Sequence, residues 1–269
     1  MSITAFFSDN CRIFVLVILT GILGIIHNSP AQSFTIKPHV GYAQVSMNDV
    51  NSSSRSRINA LMDLTGNFVP YPDEFKGNYS GGIEISYHLE NHYHLIFGTY
   101  YFRERNNLEY LSGTGSSSVQ FQNNRTNELF EVHIGIKYFL RYQSWRRINF
   151  YFSGTAGFAF GWAESIFIYQ DDVNSVNNKG EFSSNSITGY LSTGINLKLL
   201  TSIAIEPEIG YRFANLNQMD GRLSLSQNFN NDPNSLVDAV DPNYRTDASY
   251  DFSGFYANIG IIFSFSLFE

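Results

Sequence analysis

Cysteine, charged residues and long apolar runs are all scarce in this sequence. Its only cysteine, Cys11, lies close to the amino terminus, so disulfides and thiolate chemistry are excluded for the rest of the chain. Charged residues make up 15% of the chain and form no basic patch of the kind that a nucleic-acid partner requires. There is also no phosphate-binding glycine loop and no zinc-ligand spacing. We therefore expect no cofactor, no metal site and no nucleic-acid partner.

Continuous apolar sequence occurs only at residues 13–26, where 14 residues read IFVLVILTGILGII. A helix needs ~20 apolar residues to span a bilayer, so this run is short for a membrane anchor. Arg12 precedes the run, and Ser29-Pro30-Ala31 follows it with the small-x-small pattern of a cleavage site. These features predict a signal peptide over residues 1–31 and a single domain over residues 32–269. The alternative is an uncleaved membrane anchor.

The last stretch of the chain, from Phe255 to Phe268, alternates between apolar and mostly polar residues. One set of alternate positions is entirely apolar: Phe255, Ala257, Ile259, Ile261, Phe263, Phe265 and Leu267. A period of two predicts a β-strand with one apolar face and one polar face.

The same alternation recurs in seven earlier stretches. The eight predicted strands are 34–45, 82–90, 93–103, 128–140, 148–162, 187–199, 203–213 and 255–268. Short and long connections alternate between them, and the long ones are 48–79, 104–127, 163–186 and 214–250. Eight two-faced strands with such connections predict a closed antiparallel barrel whose apolar face meets lipid.

The closing stretch resembles the C-terminal assembly signal of bacterial outer-membrane barrels, in which a polar residue and a glycine precede alternate hydrophobic residues. The residues that carry this resemblance are Asn258, Gly260, Phe263, Phe265 and Phe268. The family usually ends on an aromatic residue, whereas Glu269 follows here. Residues 34–268 as a whole resemble the OmpA/OmpX-type superfamily of small outer-membrane β-barrel proteins.

This resemblance implies an all-β fold, an eight-stranded antiparallel up-and-down transmembrane β-barrel with short periplasmic turns and long external loops. It places both termini in the periplasm, beneath a bacterial outer membrane. Outer-membrane lipid and lipopolysaccharide would surround the barrel, and the barrel-assembly machinery would be a partner. A surface ligand would be held by the connections 48–79, 104–127, 163–186 and 214–250.

Charged residues occupy the inward positions of the predicted strands in equal numbers of each sign. They are Lys37, Lys137, Lys198 and Arg212, against Glu84, Glu131, Glu206 and Glu208. Because isolated charges in a narrow lumen are costly, we expect an internal salt-bridge network that plugs the barrel. The alternative is a gated polar pathway or a proton-sensitive switch through His39, His88 and His133.

Catalysis lacks a base in the predicted loops. After residue 31 the histidines are His39, His88, His92, His94 and His133, and none lies in a long connection. We therefore predict that the protein is not an enzyme. The connection 214–250 is rich in aspartate, and its two Asp-Pro-Asn strings predict turns, with a loose divalent-cation site as the alternative.

The predicted function is that of a non-enzymatic outer-membrane barrel with a plugged polar lumen. Its surface-exposed loops would serve envelope integrity or surface interaction. The alternative is a narrow transport barrel for small or hydrophobic solutes, similar to OmpW-type proteins.

Overall fold

Alternating apolar and polar residues form long antiparallel strands in the computed structural model of the protein. The structure describes residues 33–89, 92–113, 118–140, 147–229, 237–246 and 248–266. The eight main strands are β1 (Ser33–Gln44), β2 (Gly77–His88), β3 (Tyr93–Ser112), β4 (Val119–Leu140), β5 (Ile148–Gln170), β6 (Ser175–Lys198), β7 (Ile203–Phe213) and β12 (Gly254–Ser266). Four shorter strands lie between the last two: β8 (Asn215–Leu216), β9 (Asp220–Asn228), β10 (Val237–Arg245) and β11 (Tyr250–Asp251).

The eight main strands form a closed ring. Each pairs antiparallel with its neighbour in the order β1–β2–β3–β4–β5–β6–β7–β12, and β12 pairs back to β1. In the closing pair Phe34 lies opposite Phe265, and Val40 opposite Ile259. The predicted eight-stranded up-and-down barrel is therefore confirmed. Closure pairs every strand of the ring on both sides, which is what a spanning structure needs in lipid.

The outer face of the ring is an apolar belt. Large apolar side chains point away from the barrel on every ring strand, with exposed fractions of 64% for Val40, 73% for Ile187 and 67% for Phe255. A water-soluble protein rarely exposes so continuous an apolar surface, whereas lipid solvates it at no cost. The belt is therefore the membrane-spanning surface. Within the described residues, no helix combines the length and the apolar character needed to cross a bilayer.

The wall of the barrel is much taller on one side than on the other. Strands β3 to β6 run for 20 to 24 residues, whereas β1, β7 and β12 have 11 to 13. We call the end at which β1 begins and β12 ends the terminal end, and the opposite end the loop end. The predicted loops 104–127 and 163–186 are wrong as loops, because most of their residues continue β3 to β6 as ladders.

At the loop end the tall strands continue beyond the ring, and β9 and β10 add to the same sheet there. Strand β6 pairs with β7 through Gly189–Lys198 and with β9 through Ser175–Ser183, and β10 pairs with β9. The upper parts of β3 to β6 with β9 and β10 thus form a six-stranded loop-end sheet. The string Asp241-Pro242-Asn243 is not a free turn but a register irregularity in β10, while the string at 232–234 lies outside the described residues.

Helix α1 (Asn48–Thr65) replaces much of the predicted loop 48–79. Its buried residues Val50, Ile58 and Leu61 share one face at helical spacing. It ends at Gly66, whose φ of 69° is left-handed and whose N–H donates to the carbonyl of Met62. Serine and asparagine dominate its sequence and are weak helix formers, so tertiary packing rather than propensity stabilises it.

An apolar core closes the mouth of the barrel at the loop end. It combines wall residues with segments of the long connections, and we call it the loop-end core. Its members include Met47, Val50, Phe75, Phe102, Leu129, Ala214, Leu216, Met219 and Phe252. The long connections therefore fold back onto the barrel instead of extending into solvent.

Candidate functional site

Five charged side chains meet inside the membrane-spanning part of the barrel. They come from β1, β2, β4 and β7, each at a position whose adjacent residues in the sequence point outward into the apolar belt. We call them the interior cluster: Lys37, Glu84, Lys137, Glu206 and Glu208. All five are buried.

Each lysine of the interior cluster bridges several carboxylates. Lys37 Nζ lies 2.8 Å from Glu206 Oε1, 3.1 Å from Glu84 Oε2 and 3.3 Å from Glu208 Oε2. Lys137 Nζ lies 2.7 Å from both Glu84 Oε1 and Glu206 Oε1. Two ammonium groups thus hold three carboxylates, and the contacts at 2.7 and 2.8 Å have the length of strong charge-assisted hydrogen bonds.

Two tyrosine hydroxyls donate hydrogen bonds to Glu208, the third carboxylate of the interior cluster. Tyr151 donates to Glu208 Oε2 at 2.6 Å, and Tyr256 donates to Glu208 Oε1 at 3.0 Å. The ring of Tyr151 also lies 4.5 Å from Lys137 Nζ, measured to its centroid. Glu208 therefore keeps its charge satisfied although it lies near only one of the two lysines.

Inward glycines leave room for these side chains. A Cβ atom built on Gly194 would lie 2.4 Å from the Tyr151 hydroxyl, and one on Gly260 would lie 2.6 Å from Lys37 Cγ. Both distances are shorter than real carbon contacts, so any larger residue would displace the cluster.

Two of the eight predicted network residues form a separate pair. Arg212 NH1 lies 3.9 Å from Glu131 Oε2, and neither carboxylate oxygen of Glu131 accepts a hydrogen bond. Arg212 instead donates from Nε and NH2 to the carbonyl of Phe252, at 2.9 and 2.6 Å. It thereby ties the loop-end core to β7.

Lys198 does not belong to this network. It is exposed at the end of β6 and takes part in none of the ion pairs among the described residues. Its position has the inward parity, but it is the last residue of the strand and lies beyond the cluster at the terminal end.

The five histidines after residue 31 lie beside the interior cluster or near the terminal end, and none of them lies at the loop end. His39 and His133 line a cavity of about 30 Å³ next to the interior cluster. The rings of His88 and His94 stack at 3.8 Å, and His92 contacts the Phe139 carbonyl near the terminal end. The cavity is about the size of one water molecule. With the loop-end core above it, this interior is filled by side chains.

The residues of the predicted assembly signal occupy both faces of β12. Asn258 lies on the inward face and lines the same small cavity, whereas Phe263 and Phe265 face outward. The Phe265 ring stacks on Phe34 across the closing pair, with centroids 5.0 Å apart. Phe268 lies outside the described residues.

A second polar site lies above the membrane, between α1 and the loop-end sheet. It is a cavity of about 90 Å³ that we call the loop-end chamber, and it is lined by Arg57, Phe75, Asn123, Arg125, Asn127 and Tyr250 among others. Among the described residues, no group of three His, Cys, Asp or Glu side chains is placed to hold a metal ion.

Burial and neighbouring charges shift the pKa values of two side chains that line the chamber, Arg125 and Tyr250. Burial, followed by repulsion from Arg57, lowers the pKa of Arg125 to about 10, although Tyr250 and Glu104 oppose the shift. The Arg125 side chain therefore stays charged at neutral pH. Burial raises the pKa of Tyr250 to about 12, although Arg57 and Arg125 act to lower it.

Comparisons with known proteins concern architecture only. No protein-family profile and no curated protein matches the chain. Ail, the attachment invasion locus protein of Yersinia pestis, has 10% identity and a TM-score of 0.42, over 88% of this chain and 100% of that chain. OprG of Pseudomonas aeruginosa has 12% identity and a TM-score of 0.40, over 87% of this chain and 96% of that chain.

A major outer membrane protein of Thermus thermophilus has 10% identity and a TM-score of 0.40, over 88% of this chain and 100% of that chain. The chain is thus similar to outer-membrane barrels, as its sequence predicts. The ring of strand pairs carries the fold assignment by itself.

The loop-end chamber is the site that sequence reasoning missed. One signal was available, since Asn123, Arg125 and Asn127 alternate on one strand face, as the interior residues do further along β4. The opposite wall of the chamber could not be predicted from the sequence, because it is formed by α1 and that helix was not predicted.

Proposed function

We propose that the protein is a non-enzymatic barrel of the bacterial outer membrane that presents its loop end at the cell surface, for envelope integrity or surface interaction. One observation carries this proposal. Both the membrane-spanning lumen and its loop-end mouth are filled, the first by the interior cluster and the second by the loop-end core. An eight-stranded barrel has only enough interior for its own side chains, so a filled lumen favours a structural role.

The interior cluster is assigned a structural role in this proposal. Charges in a barrel interior are costly unless they are paired, and these are paired at 2.7 to 3.3 Å. An ion pathway would need a continuous wet passage. The cavity of about 30 Å³ beside the cluster has room for about one water.

The remaining parts of the proposal concern export and orientation. Residues 1–31 act as a signal peptide, and residues 32–269 form the mature domain. The C-terminal signal from Asn258 to Phe268 is read by the barrel-assembly machinery. Both termini then lie in the periplasm, and the loop end lies among the lipopolysaccharide sugars.

Conductance tests the plugged lumen. The purified protein in planar bilayers should give no current above that of the lipid alone. A reproducible single-channel current would overturn the plug and favour the narrow transport barrel instead.

Surface labelling tests the orientation. The sequence after residue 31 has no cysteine, so single cysteines can be placed at exposed positions at either end. In intact cells a membrane-impermeant maleimide should label Ser226→Cys, on β9 at the loop end, and should spare Ser202→Cys, in a terminal-end turn. After lysis both should react. The opposite pattern would invert the barrel, and amino-terminal sequencing should show a mature chain that begins at Gln32.

A further inference from the structure

Arg125 is a buried cation with unused hydrogen-bond donors. It is 7% exposed, and its NH2 donates to the carbonyl of Asp73 at 3.0 Å. Its guanidinium lies 4.6 Å from the centroid of the Phe75 ring. Its Nε and NH1 have no hydrogen-bond partner among the described residues. Buried donors without acceptors are costly and are rare in native proteins, which points to a missing acceptor.

The loop-end chamber contains more donors of this kind. Asn127 is 2% exposed, and in the part of the chain that the structure describes its Nδ2 also has no hydrogen-bond partner. Arg57 lines the same chamber from α1 and takes part in none of the ion pairs among the described residues. Two cations and an amide donor therefore share one cavity.

The carboxylates that the structure describes near the chamber do not supply the missing acceptor. Glu104 is buried close by, but its Oε1 already accepts the backbone N–H groups of Lys76 and Gly77 at 3.1 and 3.3 Å. Burial also raises the pKa of Glu104, although its backbone hydrogen bonds and Arg125 act to lower it. Glu164 is an exposed residue of the chamber lining. Among the described residues, no carboxylate therefore forms an ion pair with Arg57 or Arg125.

The size and walls of the chamber suit a small charged group. Its volume of about 90 Å³ is about three times the share of one water in liquid, ~30 Å³. Phe75, Phe167 and Tyr250 supply apolar walls. An ion pair formed against such walls is stronger than the same pair in water.

We propose that the loop-end chamber binds an oxyanion group, a carboxylate, sulfate or phosphate, through Arg125 with help from Arg57 and Asn127. The free Nε and NH1 of a guanidinium suit two oxygens of one oxyanion. The proposed site would give the surface role a ligand class. It rests on the proposed function in one respect, because ligands outside the cell reach the chamber only if the loop end faces outward. Binding by the isolated protein does not depend on where the protein resides.

The test uses the mature protein refolded in micelles of an uncharged detergent, titrated with sodium sulfate at constant ionic strength against sodium chloride. Backbone amide NMR signals around Asn123, Arg125 and Asn178 should shift and saturate with sulfate but not with chloride. Arg125→Gln should weaken binding at least about tenfold, because it removes a charge-assisted contact. Arg57→Gln should weaken binding by only about threefold, because Arg57 is exposed and solvent screens its charge. Arg222→Gln, an exposed arginine on β9, should leave binding unchanged.

Three results would overturn the proposal: no saturable shift with sulfate, equal binding by folded Arg125→Gln, or equal loss with Arg222→Gln. If Arg125→Gln does not fold, unchanged binding by Arg57→Gln would overturn it instead. Titration with phosphate and acetate then identifies the preferred oxyanion. Vesicles of phosphatidylglycerol that displace sulfate, where phosphatidylcholine does not, would assign the source to lipid headgroups; the lack of displacement would assign it to a soluble ligand. A failed titration leaves the barrel, its location and its closed lumen untouched.

Discussion

Replacing Lys137 by methionine removes one of the two cations that hold the interior cluster together. Lys137 is 1% exposed and lies 2.7 Å from oxygens of both Glu84 and Glu206. In Lys137→Met, Lys37 alone would face three carboxylates. Methionine has a similar length, so the packing against the wall is largely retained and the charge is the main change.

The expected loss of stability is large. Breaking a fully buried ion pair by removing one partner costs ~3–5 kcal/mol, because the other charge is left uncompensated. Urea unfolding in phospholipid vesicles should therefore show a markedly lower midpoint for Lys137→Met with a similar slope. The gel migration of unheated samples gives a second measure of the folded fraction.

Lys198→Met is the matched control. It makes the same chemical change at an exposed lysine outside the cluster, so stability should change by less than about 0.5 kcal/mol. The double variant Lys137→Met with Glu206→Gln restores the original charge balance of one excess carboxylate. It should be more stable than Lys137→Met alone.

Equal stability of Lys137→Met and Lys198→Met would refute the structural role of the cluster. A water-filled lumen predicts that result, since solvent would screen the lost charge. It also predicts a changed current through the barrel. Unchanged stability combined with altered single-channel conductance would therefore favour transport.

Three further changes test the wall, the closing strand and the loop-end core. Gly260→Ala should destabilise the barrel by ~1–3 kcal/mol in urea, because the added methyl group overlaps a buried lysine of the cluster. Phe265→Asp should lower the amount of assembled protein, because a charge on the lipid face costs ~2–4 kcal/mol at mid-membrane and less near the interface. Arg212→Met should cost ~1–3 kcal/mol, because the buried carbonyl of Phe252 loses its donors. It should also speed proteolysis of the loop end, while unheated samples keep the gel migration of the closed barrel.

Each of these changes has a control within the chain. Gly154→Ala should be tolerated, because its Cβ would meet only Leu191 Cδ2 at 3.6 Å. Phe265→Leu keeps the apolar face and should assemble normally. Arg222→Met, at an exposed position, should leave proteolysis unchanged. Equal effects of a test variant and its control would contradict the corresponding assignment.

The barrel could be predicted from sequence because lipid imposes a strict rule on every ring strand. A residue such as Val40 or Ile259 must be apolar on the outer face, and this leaves a period of two that needs no tertiary information. The same rule places Lys37 and Glu84 inside. It says nothing of depth along the strand, which is why Lys198 was predicted to join the network when it lies beyond it.

Above the membrane this rule no longer applies. Residues such as Arg105 and Asn107 can be polar on the outer face of an extended strand, because water solvates that face. Strand continuation within 104–127 is thus invisible to an alternation test, although Glu104–Ser112 pairs residue by residue with Val119–Asn127 in the structure. Helix α1 is hidden for another reason, since it depends on burying Ile58 and Leu61 against a sheet that was itself not predicted.

The unequal height of the barrel wall has a consequence for the thermodynamics of recognition. Strand β3 continues beyond its last pair with β2 from Arg103 to Ser112, and at ~3.3 Å per residue this extension is ~30 Å long. Flexible loops of that length would lose ~1–2 kcal/mol of conformational entropy for each residue that a partner immobilised. In this protein the ordering has already taken place during folding, so a partner would meet a rigid, pre-organised surface. Association should then show a small entropic penalty and little dependence on loop motion.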